Sequence, residues 1–327
     1  MIELKNDRLI FSFPQVHKEA RAEIEFQRTL RIPDDGETYY LPPGLGKFPL
    51  RHVEDYASKV PSSWSKRGGV MLPMYQAEAL WIYFNGKYPC AIKVATGKIN
   101  AVSGEAWDNG LSRDPQDYIV IPEQPWLDGY CVEKGIIRQF VAMPLGSGYS
   151  TEEQLTGEAE FGGLQIEVFP INAEKWEAIK KQQREEFANI ECCFCECESS
   201  AMGLAPGGRM RQVIYDDPFN PEDWELAHSS RCFVHICNSL VWQSNTGVQP
   251  PYPPPTAASY TEEGLPWFDY YSETPGVDGS STLGGLKSVK EMGQEKGDNP
   301  LPENQSVKPG NVKTLSAKKP GQVSEWV

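Results

Sequence analysis

The residues best suited to chemistry lie in Met202–Arg211, MGLAPGGRMR. Gly203, Gly207 and Gly208 allow close backbone approach and outward-facing N–H groups. Arg209 and Arg211 bring positive charge to an acidic chain, with Arg138 as a third member of the set. Guanidinium forks match carboxylate or phosphate geometry. The stretch is therefore expected to be a loop that holds a small anionic group. The competing reading is a hairpin loop whose arginines pair with the chain's own carboxylates, such as Glu158, Glu160, Asp216 or Asp217.

The cysteines form the second cluster: Cys192, Cys193, Cys195 and Cys197. Cys192 and Cys195 with Cys232 and Cys237 could supply four zinc ligands. The run around them reads as a strand, however, whereas a zinc knuckle needs a tight turn. The primary expectation is buried, reduced thiols with no metal and no cofactor, and zinc is the alternative.

Of the four histidines, His235 lies in the apolar run Phe233-Val-His-Ile236, which suits a satisfied core histidine better than a base. Gly44-Leu-Gly46-Lys47 and Ala95-Thr-Gly97-Lys98 lack the hydroxyl that a phosphate loop needs after its lysine. Neither G-x-S-x-G nor H-E-x-x-H occurs. Carboxylate pairs such as Glu158 with Glu160 could do acid–base work, but 45 acidic residues make such neighbours common.

The positioning elements are mostly short. Strands are expected at Ala22–Arg31, Tyr118–Ile121, Ile136–Met143, Leu164–Phe169 and Cys232–Leu240, with a hairpin over Ala91–Val102 turning at Thr96-Gly97. Ile190–Cys197 and Met210–Tyr215 are expected to be a strand pair joined by the glycine-arginine loop. Ser150 or Thr151 can cap one helical turn, with Glu153 or Gln154 at the capping-box position. Two main helices are expected, Pro73–Phe84 from its apolar spacing and Ala173–Phe187 from its amphipathic stripe. Gly135-Ile-Ile-Arg-Gln and Gly208-Arg-Met-Arg-Gln form a faint internal echo.

A net charge of −14 disfavours nucleic acid and anionic membrane surfaces as partners. No run approaches the roughly 20 apolar residues of a membrane helix. The N-terminus does not read as a secretory signal, and sparse cysteines do not make a disulfide scaffold, so a cytoplasmic protein is expected. Residues 1–21 are expected as an extension or edge strand and 22–286 as one compact unit. The polar residues 287–327 are expected as a disordered tail.

RTLRIPDDG (28–36), LPPGLGKFPL (41–50), GGVMLPMYQAEALW (68–81), PEQPWLDGY (122–130), EEQLTGEAEFGGLQI (152–166) and MGLAPGGRMRQ (202–212) carry a further signal. With them the chain resembles an uncharacterised bacterial family of hypothetical proteins, and the resemblance implies no activity. The expectation is an α+β fold with a largely antiparallel sheet system. The first functional expectation is a binding or structural-assembly protein for a small anionic ligand or a protein partner. The alternative is a hydrolase or transferase using the same loop as a cradle, with Glu158, Glu160 or His235 as the acid–base group.

Overall fold

The computed structural model describes residues 1–183, 202–271 and 274–316. The fold is α+β and mostly antiparallel. One continuous strand order runs Leu9–Ser12, Arg21–Thr29, Ala79–Asn85, Ile136–Pro144, Met202–Arg211, Ser230–Asn238, Leu164–Pro170, Cys90–Thr96 and Ile119–Ile121. Strands from both ends of that order, through Phe26, Ile82, Ile166, Ile92 and Ile119, bury side chains in the same core. The sheet therefore curls over that main core, as long twisted sheets do. Parallel pairings occur at Val70–Met74 with Ser230–Asn238, at Thr38–Tyr39 with Met202–Arg211, and at Trp267–Tyr271 with Val312–Ser316.

Locally encoded elements form where the residues direct. The hairpin after Cys90–Thr96 turns at Gly97, which has a φ of 57°. Ser150 and Glu153 close a capping box on the helix Thr151–Thr156. Ala173–Gln183 is helical, with Trp176 buried against Tyr88 at 4.8 Å between ring centres. Residues 184–187 of that expected helix, the expected strand Ile190–Cys197, and Cys192 and Cys195 lie outside the described residues.

The other main helix is corrected. Pro73–Phe84 is a strand, a turn and a second strand, with Ala77 at a φ of 66° in the turn. Leu80, Ile82 and Phe84 are buried while Trp81 and Tyr83 are half exposed, a period of two. In a run that is apolar nearly throughout, helical spacing and alternation can both be traced, and aromatic and β-branched content favours the strand. Helices of eight residues occur instead at Ser239–Thr246 and Val289–Lys296.

The boundary of the expected tail also moves. Val289–Lys296 is a capped helix, and Val312–Ser316 pairs along Trp267–Tyr271. Composition understates this segment because its few apolar residues, Val289 and Met292, pack on Tyr149 and Val141. Residues 317–327 lie outside the described residues. At the other end Leu9, Phe11 and Phe13 belong to the main core, so residues 1–21 continue the sheet. No helix among the described residues is long and apolar enough to cross a membrane.

Candidate functional site

The expected glycine-arginine loop is a ten-residue strand, Met202–Arg211, almost wholly buried, and this corrects the loop assignment. It pairs antiparallel with Ile136–Pro144, and the register shifts by one residue opposite Gln139. Gly207 and Gly208 occupy that bulge. A Cβ on Gly208 would lie 2.2 Å from the Pro33 carbonyl oxygen, and one on Gly207 would lie 2.5 Å from Val141. Glycine stands at 208 because two backbones touch, and at 207 because the Val141 side chain closes over the position. Gly203 sits beside Ser150 and Gly162 at the strand's other end. Eight residues of strand separate Gly203 from Arg211 by roughly 26 Å, so the glycines and arginines do not converge on one ligand.

The arginines part company as well. Arg138 donates to the Leu286 carbonyl at 2.6 Å and lies 3.6 Å from Glu291. Arg209 is paired with Glu133 at 2.7 Å. Arg211 is different: its side chain is 56% exposed and its nearest carboxylate, Asp269, is 3.9 Å away. Its guanidinium lies over the Tyr40 ring at 4.9 Å, a contact that orients it without consuming its donors.

Arg211 opens onto a cleft of about 580 Å³, lined also by Trp126, Tyr215, Asp269, Tyr270 and Gln212. Trp126 meets Tyr270 edge-on at 4.8 Å. Burial raises the Tyr270 phenol above its ordinary value, with Tyr215 adding to the shift. The floor is held by buried glutamines. Gln212 accepts from the Asp128 N–H at 2.9 Å and donates to the Trp126 carbonyl at 3.2 Å. Gln124 accepts from the Tyr215 N–H at 3.0 Å and donates to the Val213 carbonyl at 3.3 Å. Each amide clasps the C=O of one residue and the N–H of the residue two further on, taking the place of a missing strand.

Gln139 does the same to Leu30 and Ile32, and Gln116 to Tyr215 and Asp217. The faint sequence echo has its explanation here. Its two copies are antiparallel neighbours, with Ile136 opposite Arg211, Ile137 opposite Met210 and Arg138 opposite Arg209. They are related by a local two-fold through the Ile137–Met210 pair, and Gln139 and Gln212 are its equivalent clasps.

Behind Trp126 lies Asp128, 5% exposed, with Oδ2 lacking a hydrogen-bond partner. Burial pushes its carboxyl up to about 7, against the pull of the Trp126 hydrogen bond. A raised folded-state value means that its contribution to stability is present below the unfolded value and is lost as pH rises through about 7. Asp128→Asn should therefore stabilise the protein at pH 8, by on the order of 2 kcal/mol, and much less at pH 4. Urea unfolding at the two pH values checks this, and an equal effect at both would contradict it.

The groups proposed for acid–base work lie elsewhere. Glu158 and Glu160 both pair with Lys98, and Glu160 also with Arg67. His235 stacks on Trp64 at 4.7 Å and bonds through Nε2 to the Gly68 carbonyl at 3.0 Å. Desolvation lowers it to about 4, so it is a satisfied, neutral core histidine. Cys232 and Cys237 are five residues apart on one strand and face different core clusters, so they do not converge on one ion. Asp216 and Asp217 line a separate cleft of about 500 Å³, where Asp217 is engaged by the Tyr118 hydroxyl and the Trp224 indole.

Sequence reasoning missed Trp126, Tyr215, Asp269 and Tyr270 as site residues. The local signal for Trp126, Asp269 and Tyr270 was the aromatic content of PEQPWLDGY and LPWFDYY, and Tyr215 lies in neither stretch. Comparisons of the chain with protein-family models, with curated proteins and with solved structures find no match.

Proposed function

We propose that this is a binding protein whose cleft takes a small ligand with an anionic group on an apolar or aromatic body. The observation that carries this is Arg211: an oriented guanidinium, more than half exposed, beside the aromatic wall of Trp126 and Tyr270. An approaching carboxylate or phosphate can displace the loose contact with Asp269 and gain a bidentate pair. The rings supply apolar contact for the ligand body. A hydrolase or transferase is less well supported, because Glu158, Glu160 and His235 are occupied elsewhere.

Calorimetric titration with benzoate and with inorganic phosphate tests the proposal. Benzoate is expected to bind with a dissociation constant of about 1 mM or tighter. Arg211→Ala should weaken it about tenfold or more, in line with the loss of a charge-assisted hydrogen bond. Arg209→Ala should change it little, because Arg209 is committed to Glu133. No heat with either anion, or equal losses from the two variants, would overturn the assignment.

A further inference from the structure

Between Arg231 and Glu262 the sequence contains no Asp, Glu, Lys or Arg, although charged residues make up 23% of the chain. Part of this stretch is at the surface with apolar side chains outward: Leu240 is 82% and Tyr252 92% exposed.

The stretch includes Pro250, Pro251, Pro253, Pro254 and Pro255 around Tyr252. Each proline fixes its own φ and pushes the preceding residue to extended backbone, which makes the strap a polyproline-II segment. Buried Arg28 and half-buried Tyr75 tie it down by its carbonyls. Arg28 donates to the Tyr252 oxygen at 2.8 Å, and the Tyr75 hydroxyl donates to the Pro251 oxygen at 2.7 Å. Arg28 is in turn held by Glu78 at 2.8 Å. The strap is thus ordered before any partner arrives, which lowers the entropy cost of docking.

Polyproline-II segments are read by grooves lined with aromatic side chains. The molecule has such a groove in the cleft of Trp126, Tyr215 and Tyr270, with Arg211 as donor to a strap carbonyl. The strap does not line its own molecule's cleft, being tied to Arg28 and Tyr75. Charge opposes the match least at these two surfaces. Copies with a net charge of −14 repel one another. The strap is uncharged, and Arg211 and Asp269 balance each other at the cleft.

We propose that the strap of one copy docks in the aromatic cleft of a second, head to tail, an inference that rests on the cleft being a binding site. Such a contact is heterologous, leaving a free strap at one end and a free cleft at the other.

Sedimentation of the full chain from about 10 μM to about 1 mM tests it. The average mass is expected to rise above the 36.6 kDa of one chain. Tyr252→Ser, which alters an exposed side chain, should remain monomeric, as should Arg211→Glu. Mixing these two variants should restore association, because each retains one intact surface, and growth should stop at a pair. A wild type that stays monomeric, association unchanged in Tyr252→Ser, or a mixture without rescue would each overturn the proposal. Loss of association in Leu240→Ser but not in Tyr252→Ser would also overturn it, placing the contact on the neighbouring helix. Benzoate titration of the Tyr252→Ser monomer examines the cleft alone. Anion binding there, with no wild-type association, rejects the docking and leaves the cleft assignment standing.

Discussion

Arg28→Ala is expected to cost roughly 3–5 kcal/mol at pH 8, as measured by denaturant unfolding. Arg28 and Glu78 are buried together at 2.8 Å, with side chains 8% and 0% exposed. Removing the guanidinium leaves a carboxylate in the interior whose remaining donor is the Tyr75 N–H at 2.8 Å. Desolvation already lifts Glu78 to about 7 despite Arg28. Because the folded value is raised, Glu78 contributes stability below its unfolded value near 4.5, and that contribution is lost as pH rises through about 7. The variant should therefore lose less at pH 5 than at pH 8. A double variant, Arg28→Met with Glu78→Leu, should recover most of the loss, since apolar replacement of both partners leaves no charge stranded. A loss below about 1 kcal/mol at pH 8, or a larger loss at pH 5, would contradict the buried-pair account.

Gln139→Leu is expected to cost roughly 2–5 kcal/mol. Gln139 is fully buried, and its amide is bonded to the Leu30 carbonyl at 2.9 Å and the Ile32 N–H at 3.1 Å. Leucine has similar volume but leaves both backbone groups unpaired in the interior, at about 1–3 kcal/mol each. Gln139→Glu keeps an acceptor for Ile32 but sets oxygen against the Leu30 oxygen, and should not rescue. Urea midpoints within about 1 kcal/mol of wild type would show that the clasp carries little of the fold.

What the sequence revealed follows from how local each signal is. The strands Ile136–Pro144 and Leu164–Pro170, the Gly97 hairpin and the Ser150 capping box depend on neighbours within a few residues, and all were legible. Pro73–Phe84 misled because a continuous apolar run fits two periods. Met202–Arg211 misled because three glycines and a proline usually mark a loop. Here the glycines serve a bulge and the close approach of Pro33, contacts with residues far away in sequence. The same distance hides the cleft. Its walls come from segments around residues 126, 136, 213 and 270, and only the folded sheet brings them to Arg211. The Arg-Gln echo was a real trace of the scaffold. Its meaning, paired glutamine clasps about a local two-fold, could not be read without the register.

Arg211 is expected to work at the aromatic cleft and not with the glycines upstream. Amide NMR of the full chain titrated with benzoate tests this most directly. Shifts should concentrate at Gly135, Ile136, Arg211, Gln212 and Tyr270, with little change at Gly203, Gly207 and Gly208. Shifts centred on Gly203–Gly208 with a silent cleft would contradict the account.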